Sequence, residues 1–202
     1  ANDSAYVNQF AQRFTRINNR SNMIIWLTGL PCSGKTTLAY ALKQALTHDG
    51  MLPDNLVEIL DGDELRKSPF GGRVGFHTMA RHNYLLQVGY MAQRLDRHAE
   101  YVICSFVSPD QGTREKLPVD VMVHVDCPLD VCEKRDVKGM YAKARAGEIL
   151  EFTGVSAEYT PPTHADLTVH TNWMTVNQCV TMIMEVIRGK RTQRMLNAPT
   201  SP

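Results

Sequence analysis

No stretch of this chain approaches the roughly 18–20 consecutive apolar residues of a bilayer-spanning helix, so an integral membrane protein is excluded. An excess of one charge is also missing. The 22 Lys and Arg residues stand against 21 Asp and Glu, a formal charge of +1, and that balance gives no support for a nucleic-acid partner. Cysteine is sparse and unpaired in its spacing; five residues, an odd number, fit free thiols in a reducing compartment rather than a disulfide framework. The first 22 residues are polar and lack the apolar run of a signal peptide. Neither an internal repeat nor a low-complexity segment is found. What remains is the expectation of a soluble, cytoplasmic globular protein. Its 43% hydrophobic and 21% charged residues are enough to build a core, and 202 residues favour one main domain.

What the chain does have is alternation of strand and helix signals. Apolar runs of strand length lie at 23–27, 57–60, 101–107, 121–125 and 167–170. Helical segments are expected at 37–46, 83–99, 129–135 and 176–188, the last with Val176, Val180, Ile183 and Ile187 on one face. That order predicts an α/β protein with a mostly parallel sheet and helices on both faces, a three-layer arrangement. Residues 1–22 read as an N-terminal extension with a short amphipathic helix (Val7, Phe10, Phe14 and Ile17). Residues 23–189 form the domain, and 190–202 read as a loose tail.

Directly after the first strand comes Gly29-Leu30-Pro31-Cys32-Ser33-Gly34-Lys35-Thr36, which satisfies G-x-x-x-x-G-K-[ST]. Its position between an apolar strand and a helix is what the chemistry requires. The glycines let backbone N–H groups converge on a phosphate, and the following helix N-terminus favours the same negative charge. Lys35 is placed to reach the β- and γ-phosphates of a nucleotide, and the Thr36 hydroxyl to meet Mg²⁺. Cys32 reads as a small filler of the loop. The fold class is therefore that of P-loop NTPases.

The second strand ends in Asp61-Gly62-Asp63. A carboxylate leaving a strand beside a phosphate loop can hold Mg²⁺ or take a proton from an attacking hydroxyl, and these roles stay open between Asp61 and Asp63. No N-K-x-D occurs, so nothing reads guanine, and a kinase for a small acceptor is favoured over a switch GTPase. Farther on, Arg135, Lys138, Lys143 and Arg145 crowd a segment containing Gly139 and Gly147. A mobile basic lid of this kind excludes water and neutralises a transferring phosphoryl group.

Taken together, the loop, Asp61-Gly62-Asp63-x-x-Arg66, Gly75-Phe76, Ser105-Phe106-Val107-Ser108-Pro109, the stretch from Asp136 to Arg145, Phe152-Thr153-Gly154 and Tyr159-x-Pro161-Pro162 resemble the adenylylsulfate (APS) kinase family. The likeness runs in order over about 23–187. It implies transfer of the γ-phosphoryl group of ATP, with Mg²⁺, to the 3′-hydroxyl of adenosine 5′-phosphosulfate (APS). By the same resemblance Lys35, Asp61, Asp63 and Ser108 carry the chemistry, and Thr36 and Asp61 hold the metal. Thr37 and Arg135 join the loop in binding ATP. The acceptor set is Asp63, Arg66, Phe76, Arg81, Tyr84, Val107, Ser108, Lys138 and Phe152, with Phe76 and Phe152 placed to sandwich an adenine. Ser108 matches a serine described as a phosphoserine intermediate in bacterial members; a strand-end serine that hydrogen-bonds substrate explains the same placement. A homodimer is also implied.

The chain departs from the family pattern after Gly75-Phe76. A usual Asn falls on Tyr84, and two usual arginines fall on Leu86 and Gln87. Arg114 is the one basic residue near the Ser108-Pro109 turn available to replace another. These departures keep two alternatives open: a kinase shifted to a related nucleotide acceptor, and a nucleotide-binding regulatory subunit.

Overall fold

The computed structural model describes residues 22–48, 52–69 and 78–197. The helix expected ahead of residue 22 and the candidate Phe76 lie outside them. Five parallel strands form one sheet in the order β2-β3-β1-β4-β5: β1 (Met23–Thr28), β2 (Val57–Asp61), β3 (Tyr101–Ser105), β4 (Val121–Asp126) and β5 (Leu167–His170). The helices are α1 (Lys35–Thr47), α2 (Gly62–Lys67), α3 (Thr78–Leu95), α4 (Gln111–Arg114), α5 (Leu129–Lys134), α6 (Met140–Arg145) and α7 (Val176–Leu196).

Every residue of β1 is buried, because side chains alternate into two cores on opposite faces. Met23, Ile25 and Leu27 pack with α1 and α7 residues such as Leu38, Leu42, Ile183 and Ile187. Ile24 and Trp26 face the other way, against Leu85, Val88 and Ala92 of α3. A continuous apolar run is therefore the correct signature of this central strand. Truncating such a side chain, Ile25→Ala for instance, costs about 2–5 kcal/mol.

Helix limits moved more than strand limits. The helix expected at 83–99 lies about one turn earlier, at 78–95, because the His98 and Ala99 amides turn back onto the Leu95 carbonyl and deliver the chain to β3. Helix α7 begins at a capping box between Thr175 and Gln178 and runs to Leu196, well past the expected end near Arg188. The loose tail expected from residue 190 is thus helical to 196. Lys190 pairs with Asp166 at 2.7 Å, Arg191 donates to the Tyr101 hydroxyl at 3.0 Å, and Arg194 donates to the Asn22 carbonyl at 2.8 Å and pairs with Asp120. Within α7, Cys179 rather than Val176 completes the buried stripe; Val176 is exposed.

Candidate active site

The loop between β1 and α1 is built to hold its shape. A Cβ on Gly29 would lie 2.3 Å from the Val125 carbonyl oxygen and 2.8 Å from Ser33 Oγ, so only glycine fits there. Gly34 precedes α1 in the left-handed conformation, φ 99°, which glycine adopts without strain. Two outside hydroxyls anchor the loop's carbonyls: Thr171 Oγ1 donates to Ser33 O at 2.7 Å and Tyr141 Oη to Pro31 O at 2.9 Å. Lys35 folds back into the loop, donating to Gly29 O at 3.1 Å and Leu30 O at 2.6 Å. Burial lowers its ammonium pKa from 10.5 to about 8. The lysine is thus a poorly solvated cation held by neutral loop dipoles, the two carbonyls and the Ser33 hydroxyl at 3.5 Å, ready to exchange them for an anion.

Beside it the open question of the two aspartates resolves into different surroundings. Asp61 is buried, and both of its carboxylate oxygens are engaged. One accepts from the Asp63 and Glu64 amides at 2.9 and 3.4 Å, capping α2; the other accepts from Thr36 Oγ1 at 2.8 Å. Asp63 is exposed and forms an ion pair with Lys138, which reaches across from the basic segment. The expected lid therefore contains a short helix, α6, with its Lys138 joined to the opposite wall.

At the other end Arg81 donates to Thr153 Oγ1 at 2.7 Å and lies 3.7 Å from Glu151. Tyr84, only 7% exposed, packs edge-on against Phe106 with ring centroids 6.3 Å apart, and its hydroxyl has no partner among the described residues. Among the described residues Arg81 Nε and Ser105 Oγ are likewise buried without partners. Phe152 is buried edge-on against Tyr141, centroids 5.0 Å apart. Ser108, at φ 44°, is 1% exposed, and its Oγ accepts from Trp26 Nε1 at 2.9 Å.

One cavity of about 640 Å³ gathers most of these groups. Pro31, Cys32, Gly34, Lys35, Thr36, Thr37 and Arg135 line its phosphate end, and Asp61 and Asp63 its middle. Arg66, Arg81, Tyr84, Val107, Ser108, Lys138 and Phe152 line the rest. Gly29, Leu30 and Ser33 shape the loop without lining this cavity; Leu30 borders a second one of about 550 Å³ beside His124 and Tyr159. One expectation fails. Arg114 does not reach the cavity, because its guanidinium is buried as a clamp on Ser108 O (2.6 Å), Thr160 O (2.7 Å) and Gln111 Oε1 (2.8 Å). Leu86 packs against the α3 core and does not share Tyr84's cavity-facing side, as expected two residues along a helix. Trp26 and Thr171 are not singled out from the sequence, and Ser105 and Tyr141 figure there only inside the motifs that carry the resemblance. A polar indole or hydroxyl inside an apolar strand or at its end is the signal that would have found Trp26 and Ser105.

Parallel strand order, phosphate loop and basic lid around one cavity define a P-loop kinase. Comparisons with known proteins narrow this. A family model described as adenylylsulphate kinase matches residues 21–170. An adenylyl-sulfate kinase of Synechococcus sp. (strain JA-3-3Ab) is 38% identical over 174 residues, 84% of this chain and 96% of that one. One from Chloroflexus aurantiacus is 40% identical over 172 residues, covering 83% and 90%. Among solved structures, the Mycobacterium tuberculosis APS kinase in complex with AMPPNP and APS superposes with a TM-score of 0.74 at 29% identity, covering 83% of this chain and 98% of that one. This chain belongs to the adenylylsulphate kinase family, and it is an ATP-dependent kinase.

Proposed function

We propose that this chain transfers the γ-phosphoryl group of ATP to the 3′-hydroxyl of adenosine 5′-phosphosulfate, giving 3′-phosphoadenylylsulfate and ADP. One observation carries the reading beyond family membership: the phosphate loop and a set of acceptor-suited groups open onto a single cavity. Donor and acceptor thereby meet in one enclosure, where positioning and charge neutralisation supply most of the catalysis.

The loop amides and Lys35 receive the β- and γ-phosphates, Lys35 exchanging loop carbonyls for phosphate oxygens. Thr36 and Asp61 offer adjacent hydroxyl and carboxylate oxygens, hard donors of the kind Mg²⁺ takes alongside substrate phosphates, and would hold it. Bound with the nucleotide, Mg²⁺ supplies charge neutralisation on the phosphates. Asp61 is committed to Thr36 and to capping α2, so Asp63, exposed in the cavity wall, is the carboxylate that orients the attacking hydroxyl and takes its proton. Arg66, Arg81 and Lys138 meet the phosphosulfate anion, with Tyr84, Val107 and Phe152 beside the nucleoside. Ser108 positions substrate: its oxygen already accepts from the Trp26 indole, leaving the hydroxyl proton to donate. The working form is a cytoplasmic homodimer, as the resemblance implies; light scattering tests the assembly.

The discriminating experiment couples ADP release to each of several nucleotide acceptors. APS should give the highest kcat/KM. A higher value with another nucleotide overturns the acceptor assignment.

A further inference from the structure

Three polar atoms are buried in the wall of the main cavity without a hydrogen-bond partner among the described residues: Arg81 Nε, Tyr84 Oη and Ser105 Oγ. The first two lie at the acceptor end. Ser105 is placed differently. Along β3, Tyr101 and Ile103 face the α1 side of the sheet, and alternation puts Ser105 on that side too. In β2, Val57 and Ile59 face the same way, and so does Asp61. Asp61 and Ser105 are register partners across the β2–β3 ladder, and Leu27 of β1 is the partner of Ser105 on its other side. The Ser105 hydroxyl therefore stands between Asp61 and the strand that feeds the phosphate loop, beneath the N-terminus of α1 where Thr36 bonds Asp61 at 2.8 Å.

We propose that Ser105 is a positioning residue for the nucleotide's magnesium, its hydroxyl holding a water of the hydrated ion next to Asp61 and Thr36. Mg²⁺ sheds its waters reluctantly, so groups around it meet waters more often than the ion itself. A serine that served only as filler would lose its hydration for nothing, since alanine fits the same space without an unpaired hydroxyl. At 3% exposure the Ser105 hydroxyl has no bulk water to turn to, and the cavity is the one place where a partner can arrive. This rests on reading the loop as an ATP site and does not depend on which acceptor is used.

The test is titration of Mn²⁺, followed by its electron paramagnetic resonance, into the full chain loaded with ADP. Wild type is compared with Ser105→Ala, Ser105→Thr and Ser105→Cys. Loss of such an outer partner typically weakens metal binding 10–100-fold. Ser105→Ala and Ser105→Cys should each weaken Mn²⁺ about tenfold, with ADP affinity in EDTA unchanged, and Ser105→Thr should restore the metal. Ser105→Ala should also melt no lower than wild type, because it removes an unpartnered hydroxyl. Unchanged Mn²⁺ affinity in both Ala and Cys variants overturns the proposal. So does an equal loss of metal-free ADP binding, or a Thr variant as weak as Ala. If Ala fails to fold, Cys against Thr decides. A metal defect as expected in a protein that does not phosphorylate APS sinks the acceptor assignment and leaves this proposal standing.

Discussion

The two ends of the cavity are finished to different degrees. At the phosphate end nearly all of the polar groups already have partners, the Ser105 hydroxyl excepted: Lys35 on loop carbonyls, Thr36 on Asp61, and the loop itself tied by Thr171 and Tyr141. At the proposed acceptor end Arg81 Nε and Tyr84 Oη are buried without any among the described residues. A phosphate loop must be formed before ligand arrives, since its amides act only if they already converge. An acceptor pocket can leave its specificity to be completed by the ligand, at the cost of unsatisfied groups in the empty protein.

The largest effect expected from disturbing this contrast is at the phosphate end. Lys35→Ala should lower kcat by about 10²–10³-fold or more, the scale of losing one preorganised charge donor. Its melting temperature should stay near that of wild type, because a buried, desolvated ammonium contributes little to the fold. Near-normal turnover in the folded variant would remove the loop from the mechanism.

A smaller effect is expected where lid meets wall. Lys138 and Asp63 are both more than half exposed, so their pair adds at most about 1 kcal/mol to stability. Lys138→Ala should therefore leave the melting temperature nearly unchanged while raising the KM for APS. Hydrogen exchange over residues 135–152 should slow when ADP and APS are both present. Exchange that ignores the ligands would mean that this segment is not a lid.

Tyr84→Phe isolates one hydroxyl. A hydrogen bond of about 0.5–1.5 kcal/mol to the acceptor predicts a KM for APS raised about two- to tenfold, an unchanged KM for ATP, and a melting temperature no lower than wild type. Movement of the ATP constant instead would place Tyr84 at the wrong end. Tyr84→Asn, the residue usual in the family, should bind APS more tightly than the wild type does.

The smallest effect lies outside the main cavity. His124 is buried and stacked on Tyr159, with ring centroids 5.9 Å apart, and burial lowers its pKa below the ordinary 6.5. The unfolded chain then binds more protons than the folded one near and below that pH, so stability falls as pH drops through about 6.5. Replacing it by Phe should reduce the loss of melting temperature between pH 7.5 and 5.5. An equal loss in both proteins would mean that His124 does not contribute to it.

Much of this was legible in the sequence. The central strands β1 and β3 announce themselves because each is buried along its whole length and is almost purely apolar. The phosphate loop is legible because its chemistry is local: glycine, lysine and threonine at fixed spacing do the work within eight residues. The proposed acceptor end is assembled from α2, α3, the β3 turn and the segment 135–152, and no single window contains it. Arg114 illustrates the difficulty. Its charge and position suit an anion site, yet three oxygens from the β3–α4 turn and the 160 loop bury it as a clamp. Tyr84 and Leu86 both depart from the family pattern two residues apart, and helical geometry puts only Tyr84 on the cavity side. Ser105 stands in a motif of the sequence without a role of its own there, because only the neighbouring strands show where its hydroxyl sits.

The most direct test is to incubate the full chain with ATP, Mg²⁺ and APS and follow the products by ³¹P NMR. The expected result is a new phosphomonoester on the 3′-oxygen of APS, appearing one-for-one with ADP. Hydrolysis of ATP to free phosphate without that resonance, by a protein that still binds ADP, would contradict the central claim.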